Sequence, residues 1–219
     1  RRKPWESAAR FGAARRVCRI LGLRVGVSGP APRREPCLVV ANHLGYIDVP
    51  ILSAALPVRF VAKEEVASWP VIGLMARGWG TIFVHRGTSR SAERFVGALA
   101  NALSAGHSLA VFPEGTSSDG RQVLPFKSGA FAAVAGRSDV RVLPAAMKLR
   151  TIGGRPVAQA DRSAVAWYGD ATLVGHLLRL GRAAPVEIDL VFGETIDPGS
   201  ADRKTLAGIA EEAVRALLS

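Results

Sequence analysis

The chain of 219 residues has only two cysteines, Cys18 and Cys37. Their number and spacing support neither a disulfide framework nor a metal site, and they fit a reducing, cytosolic setting. Aromatic residues make up only 6% of the chain, and no recognisable nucleic-acid-binding module occurs, so we expect no nucleic-acid partner. No stretch approaches the roughly 18 consecutive apolar residues that a membrane-spanning helix needs.

Acidic residues are scarce in the first part of the chain. Residues 1–90 contain 15 Lys or Arg against 5 Asp or Glu, whereas the remainder contains 14 against 13. The formal net charge of +11 therefore lies almost wholly in the N-terminal part. A one-sided basic field attracts polyanions such as anionic lipid headgroups, acidic proteins or nucleotide phosphates.

Several sequence motifs of catalysis are also missing. The chain contains no GxSxG nucleophile elbow, Walker loop, GxGxxG, HExxH or CxxC. We therefore expect no covalent enzyme intermediate, no bound cofactor and no metal.

With 48% apolar residues, the chain is expected to form one domain with a sizeable core. Apolar strands that alternate with helices predict an α/β fold, a single domain with a mixed, largely parallel central sheet flanked by helices. Strands are expected at 23–28, 37–41, 58–62, 81–84, 109–112, 140–148 and 185–192. Helices are expected at 4–24, 49–56, 92–105, 126–135, 170–180 and 201–218. Pro144 predicts that its strand lies at an edge or contains a bulge.

Residues 1–30 are predicted to form a basic amphipathic helix and a short strand that contact the membrane, ahead of a catalytic domain at 31–219. On a helical wheel, Arg15, Arg16 and Arg19 fall within an arc of about 100°, opposite small and apolar residues. Such a helix suits an anionic bilayer surface. It also suits packing on the domain with solvated arginines, and the two alternatives are compatible.

Segment 69–79 is unusually apolar and lies between two tryptophans. Its composition is typical of a buried helix, and it equally suits the wall of an acyl channel or a contact with lipid.

A histidine follows the predicted strand 37–41, and an aspartate comes five residues after that histidine. His43 and Asp48 cannot meet along one helical face, but a turn at Gly45 would bring them together. A carboxylate on one ring nitrogen fixes the tautomer and leaves the other nitrogen as a general base.

Three further motifs follow in order: residues 80–86 end in Arg86, residues 112–116 read Phe-Pro-Glu-Gly-Thr, and residues 142–145 read Val-Leu-Pro-Ala. Together with the His43 motif, this set resembles the glycerolipid acyltransferase family, whose blocks are NHxxxxD, GxxFxxR, FPEG(T/S) and a VxP-type strand. The resemblance covers roughly residues 37–150. The best-known members act on lysophosphatidic acid or glycerol-3-phosphate.

The resemblance implies a role for each matching residue. His43 would be the general base and Asp48 the residue that orients it, while Arg86 would bind the acceptor phosphate through its guanidinium fork. The remaining predicted substrate-binding residues are Glu114, Gly115, Thr116, Asn42, Lys63 and Lys127. The alternative to substrate binding for Asn42 is a hydrogen bond to the backbone of the loop. The alternative for Lys63 and Lys127 is that each side chain is simply solvated.

The implied function is O-acyl transfer from acyl-CoA or acyl carrier protein, as co-substrate, to a lysophospholipid. The leading acceptor is 1-acyl-glycerol-3-phosphate, which would give phosphatidic acid. Localisation would be peripheral or monotopic at the cytoplasmic face of the cell membrane, in contact with its phospholipids. Segment 166–170 also resembles lyso-ornithine lipid acyltransferases. A non-catalytic module that binds anionic lipid or nucleic acid, and a thioester hydrolase, are the alternatives of other classes.

Overall fold

The computed structural model describes residues 4–30, 35–69, 72–85 and 89–219. The strands are β1 (Leu23–Ser28), β2 (Cys37–Ala41), β3 (Val58–Lys63), β4 (Ile82–Val84), β5 (Ser108–Val111), β6 (Arg141–Ile152), β7 (Arg155–Pro156) and β8 (Val186–Phe192). The α-helices are α1 (Pro4–Ile20), α2 (Asp48–Ala55), α3 (Ile72–Gly78), α4 (Ser89–Ser104), α5 (Leu173–Ala183) and α6 (Arg203–Leu218). Short 3-10 helices occur at Glu64–Ser68, Ala130–Ala133 and Gln159–Ala164.

The strands of the described residues form one sheet in the order β1-β8-β6-β2-β5-β3-β4, with β7 beside β6. The five strands from β6 to β4 run parallel to one another. β8 is antiparallel to β6, and β1 is parallel to β8. The predicted α/β fold with a mixed, largely parallel sheet is therefore confirmed.

Strand β2 lies at the centre of the domain because every one of its side chains is apolar and buried. Alternate side chains point to opposite faces of the sheet. Leu38 and Val40 join the core beneath α4 and α6, whereas Val39 joins the core beneath α1, α2 and α5. Such a continuous apolar run is typical of a parallel strand covered on both faces.

Of the two alternatives predicted for Pro144, the edge strand is wrong. Pro144 lies in β6, between β8 and β2, and the register shift of β6 occurs between Leu149 and Thr151. β8 pairs with β6 from Ala145 and Phe192 onward, and on the other side of the proline an antiparallel bridge joins Val142 to Ile196. The interval is three residues on β6 and four on the facing chain, so the pairing is irregular at Pro144, which has no N–H to donate. The Pro144 carbonyl accepts a hydrogen bond from Gly193 N at 2.9 Å.

The helix predicted at 126–135 is only the 3-10 helix at its centre. Glycine flanks this segment on both sides, at Gly129 and at Gly136 with φ +73°, and glycine disfavours an α-helix. The backbone N of Lys127 donates to Pro113 O at 2.9 Å. This part of the chain is therefore tied to the turn after β5 and does not start a helix.

Helix α1 packs against α2 through the buried Ala14 and Cys18, while Arg15, Arg16 and Arg19 are exposed. The helix thus lies on the domain with these arginines in solvent. β1 follows it as the edge strand of the same sheet. In the part of the chain that the structure describes, no helix has both the length and the apolarity to cross a bilayer.

Segment 69–79 divides between core and surface. Trp79 is buried, whereas Trp69 and Leu74 are exposed. The buried-helix alternative therefore holds for only part of the segment.

Candidate active site

The site forms where two neighbouring parallel strands end. β2 and β5 pair in parallel, so their carboxyl ends meet at one edge of the sheet, which is where α/β sheets collect ligands. His43 follows β2 and Phe112 follows β5. The two rings stack with centroids 4.3 Å apart and planes inclined by 9°, which fixes the plane of the imidazole.

The predicted pair of His43 and Asp48 is present. His43 Nδ1 lies 2.6 Å from Asp48 Oδ2, and the aspartate side chain is fully buried. The same oxygen accepts hydrogen bonds from the backbone N–H groups of Leu44 and Gly45, at 2.9 and 3.1 Å. The Nδ1 nitrogen is therefore committed to Asp48. The half-buried imidazole keeps Nε2 as its available base.

Two opposing effects act on the carboxyl group of Asp48. Burial raises its pKa above the ordinary value, and the hydrogen bond and charge of His43 and the two backbone N–H groups lower it only in part. Asp48 is also the first residue of α2, where the helix dipole favours a negative charge. These contacts offset the cost of burying a carboxylate.

The turn between His43 and Asp48 requires Gly45. This residue has φ +134°, and a Cβ on it would lie 2.9 Å from the Cβ of Trp167. Trp167 N donates to Leu44 O at 2.7 Å, and Ser118 N donates to His43 O at 2.9 Å. Two distant segments of the chain therefore hold the loop.

The contacts of Asn42 favour the alternative predicted for it, a hydrogen bond to backbone. Its side chain is fully buried. Its amide nitrogen donates to Met147 O at 3.1 Å, and its amide oxygen accepts from Met147 N at 2.8 Å. The side chain thus extends the pairing of β2 and β6 by one step while the backbone leaves the sheet towards His43.

Glu114 lies beneath the site and is only 3% exposed. Its two carboxylate oxygens accept no hydrogen bond of good geometry from the described residues. Burial raises the pKa of Glu114 to about 8, although the nearby backbone N–H groups of Leu124 and His43 lower it in part. Arg86, the predicted ligand of the acceptor phosphate, lies outside the described residues.

Gly115, Thr116 and Lys127 are exposed and follow the end of β5. Gly115 has φ +73°, and a Cβ on it would lie 2.6 Å from Lys127 Nζ. The lysine therefore lies directly against the glycine turn. This arrangement places a cation and exposed backbone on the same side of the turn, where an anion could be bound.

Lys63 ends β3 and is exposed. It is in register with Val84 at the end of β4, two residues before Arg86. β3 and β4 are neighbours in the sheet, so Lys63 lies close to the point where the chain leaves β4 towards residue 86.

Two residues of the site region carry no signal in the sequence. The Tyr46 hydroxyl and His176 Nδ1 share a hydrogen bond of 2.8 Å across 130 residues of chain. Burial and the charge of Arg179 lower the pKa of the fully buried His176. Burial raises the pKa of Tyr46 to about 12. The pair is therefore neutral. It links the loop at residues 43–48, called the catalytic loop below because it holds the proposed base, to α5.

Neither cysteine has the properties of a nucleophile. Burial raises the pKa of Cys18 and of Cys37 to about 11, so both thiols stay protonated near neutral pH. The described residues also contain no group of three or more His, Cys, Asp or Glu side chains that could hold a metal ion.

A family model described as Acyltransferase matches residues 24–148. The lyso-ornithine lipid O-acyltransferase of Rhizobium meliloti (strain 1021) is 39% identical over 210 residues, which cover 93% of this chain and 72% of that protein. The 1-acyl-sn-glycerol-3-phosphate acyltransferase of Neisseria gonorrhoeae is 33% identical over 201 residues, which cover 91% of this chain and 75% of that protein.

The crystal structure of the 1-acyl-sn-glycerophosphate (LPA) acyltransferase PlsC from Thermotoga maritima has a similar fold. The TM-score is 0.66 at 24% identity, and the match covers 96% of this chain and 77% of that one.

Proposed function

The chain belongs to the acyltransferase family, and from this premise we propose that it transfers a fatty acyl chain from an acyl thioester to the hydroxyl group of a lysolipid. The observation that carries the proposal is the 2.6 Å contact between His43 Nδ1 and Asp48 Oδ2 at the ends of β2 and β5. It leaves the other ring nitrogen, Nε2, as the base that activation of an alcohol requires.

His43 Nε2 takes the hydroxyl proton of the acceptor as the acceptor oxygen attacks the carbonyl carbon of the thioester. A carbon–oxygen bond forms, the carbon–sulfur bond breaks, and the proton passes from the imidazolium to the departing thiolate. Asp48 holds Nδ1–H throughout and stabilises the imidazolium. A thiolate with an ordinary pKa near 8.5 leaves readily, so activating the hydroxyl is the demanding step.

The acyl group passes directly between the two substrates. Cys18 and Cys37 are buried thiols, and the chain has no GxSxG motif. Initial-rate kinetics are therefore expected to be sequential. Ping-pong kinetics or a trapped acyl-protein would contradict direct transfer.

Two acceptors are proposed. Phosphatidic acid synthesis from 1-acyl-glycerol-3-phosphate follows from the four sequence blocks and from the Neisseria relative. A lyso-ornithine lipid is favoured by the higher identity to the Rhizobium relative, and the segment around Trp167 that packs on the catalytic loop is the one that resembles those enzymes. Thiol release with each acceptor separates the two.

The headgroup of the acceptor would meet the turn after β5 and the end of β4. The Thr116 hydroxyl and the Lys127 ammonium, which lies against Gly115, can each bind an anionic group, and Lys63 and Arg86 are proposed to approach it from the next strands. Because Glu114 has a pKa of about 8, it is largely uncharged near pH 7 and does not repel a phosphate or a carboxylate.

The donor is proposed to be acyl-CoA or acyl carrier protein, and the enzyme to work peripherally at the cytoplasmic face of the membrane. A groove of about 790 Å³ between α1 and β1 is lined by Arg15, Arg19 and Arg24 among others. Three arginines along one groove favour an anionic partner there, whether the phosphates of a headgroup or an acidic protein surface.

The test is thiol release from palmitoyl-CoA, measured with no acceptor, with lysophosphatidic acid and with a lyso-ornithine lipid. Wild type is compared with His43→Ala, which should lose roughly 10²–10⁴ in rate. His107→Ala is the matched control, because His107 directly precedes β5 and so lies at the opposite end of the sheet.

Acceptor-dependent release that His43→Ala abolishes and His107→Ala retains would support the transferase and its base together. Release that needs no acceptor would indicate a hydrolase. If no thiol is released from palmitoyl-CoA, the same assay with palmitoyl-acyl carrier protein decides; inactivity with both donors and both acceptors contradicts the proposal.

A further inference from the structure

Helix α5 presents an apolar face to solvent on the side that points away from the core. His176 and Leu180 form its buried side, whereas Val174, Leu177 and Leu178 are 69%, 38% and 59% exposed. At 3.6 residues per turn, Val174 and Leu178 point opposite to the buried pair. A surface helix ordinarily turns polar residues outward, so this face is suited to a partner.

The charge on α5 indicates what kind of partner. Arg179 and Arg182 are the only charged residues of the helix, and on the helical wheel they border the apolar face on one side. The nearest acidic residue before the helix is Asp170. An apolar face bordered by arginines is typical of a helix that lies in the interface of an anionic bilayer.

The buried side of α5, opposite to the apolar face, contacts the loop that carries His43. His176 of α5 bonds to Tyr46 of that loop at 2.8 Å. Trp167 packs edge-on against both Tyr46 and Trp69, with centroid separations of 5.6 and 5.7 Å. Trp69 and Tyr168 are 37% and 38% exposed. Tryptophan and tyrosine combine an apolar ring with one polar group, and such residues favour membrane interfaces.

We propose that the outer face of α5, together with Trp69 and Tyr168, docks the protein on an anionic bilayer and holds the His43 site at the surface from which lipid substrates enter. The purpose of this docking rests on the proposed function, but the binding itself does not require acyl transfer. A bilayer is favoured over a second copy of the chain because arginines border the apolar face, and because the buried side of the same helix is bonded to the loop that carries His43.

The direct test is sedimentation of the protein with vesicles of phosphatidylcholine and phosphatidylglycerol. The double variant Val174→Gln/Leu178→Gln should bind roughly ten- to a hundred-fold more weakly, because two aliphatic side chains no longer leave water. Ile209→Gln is the matched control, since Ile209 is an exposed apolar residue, at 43%, on α6. It should bind as wild type does.

The arginines give a second, independent readout. Arg179→Gln/Arg182→Gln should weaken binding to vesicles that contain phosphatidylglycerol and leave binding to pure phosphatidylcholine nearly unchanged. The difference between wild type and this variant should shrink as salt is added, because salt screens the attraction of the arginines to the anionic surface.

Three results would overturn the proposal. Unchanged vesicle binding by Val174→Gln/Leu178→Gln is the first. The second is loss of binding only on Ile20→Gln, which alters an exposed residue of α1 and would assign docking to the N-terminal helix alone. The third is a wild-type dimer that Val174→Gln/Leu178→Gln converts to a monomer, which would assign the face to a second copy.

The docking surface and the proposed function can fail separately. His43→Ala should bind vesicles as wild type does. With short-chain substrates that stay monomeric in water, Val174→Gln/Leu178→Gln should retain activity within about twofold, while its activity on vesicle-borne substrates falls with binding. If wild type transfers no acyl group and the double variant still loses vesicle binding, the docking surface stands without the proposed function.

Discussion

The side chain of Asn42 and the backbone of Met147 exchange two hydrogen bonds in the buried centre of the sheet. The two residues are 105 positions apart, and the contact is made directly before the chain turns out to His43. Both polar atoms of the Asn42 side chain therefore bond to β6, and the side chain is fully buried.

Asn42→Ala should lower the free energy of unfolding by about 2–4 kcal/mol, because it leaves the buried N–H and C=O of Met147 unpaired. Urea denaturation measures the loss, with Asn101→Ala on the exposed surface of α4 as the near-neutral control. The KM for the acceptor should not change in the protein that remains folded. An unchanged stability with a raised KM would return Asn42 to the substrate-binding residues.

Asp48→Asn should lower kcat by roughly 10²–10⁴ while the protein remains folded. An asparagine amide would donate to His43 Nδ1, which moves the ring proton to Nε2 and removes the base. Steady-state thiol release measures the effect, and circular dichroism checks the fold. Near-wild-type activity in this variant would mean that the aspartate does not set the tautomer.

Gly45→Ala should destabilise the protein by about 1–3 kcal/mol and lower activity, because an alanine at φ +134° is strained and its Cβ meets Trp167. Gly97→Ala is the control: Gly97 lies in α4 with open space around a Cβ, so alanine should stabilise it by about 0.5–1 kcal/mol. Thermal unfolding compares the two. Equal changes in melting temperature in Gly45→Ala and Gly97→Ala would show that the loop tolerates a side chain at position 45.

Glu114 should make stability fall as pH rises. Its pKa in the folded protein is about 8 against an ordinary value of 4.5, so between these values the folded state binds more protons than the unfolded chain. Relative to Glu114→Gln, the free energy of unfolding of wild type should therefore be highest below pH 4.5 and decline by up to about 1.4 kcal/mol per pH unit towards pH 8. Denaturation at a series of pH values measures this, and parallel curves would contradict it.

The fold could be predicted from the sequence to the extent that local patterns determine it. The buried run of β2 and the breaks at glycine and proline located the strands, and β1 and β2 have the predicted bounds. The pair of His43 and Asp48 was predictable because both partners lie in one short loop, although the roles of the other site residues stay predictions.

The rest depends on contacts between distant residues. The hydrogen bond between Tyr46 and His176, and the packing of Trp167 on Gly45, leave no periodicity or spacing in the sequence. For Asn42 the sequence left substrate binding and a hydrogen bond to loop backbone as alternatives, and it gave no indication that the backbone partner is Met147 in β6. The α-helix predicted at 126–135 does not form, because the backbone N–H of Lys127 donates to Pro113 O in the turn after β5.

Trp167 and His176 hold the loop between β2 and α2 in place. Both residues lie beyond residue 148, where the match to the family model ends. The four sequence blocks alone therefore do not specify the shape of the catalytic loop. That shape is a joint property of the blocks and of a C-terminal segment that can vary separately from them. A substitution at Trp167 or His176 would therefore act on the loop that carries His43 while all four blocks stay unchanged.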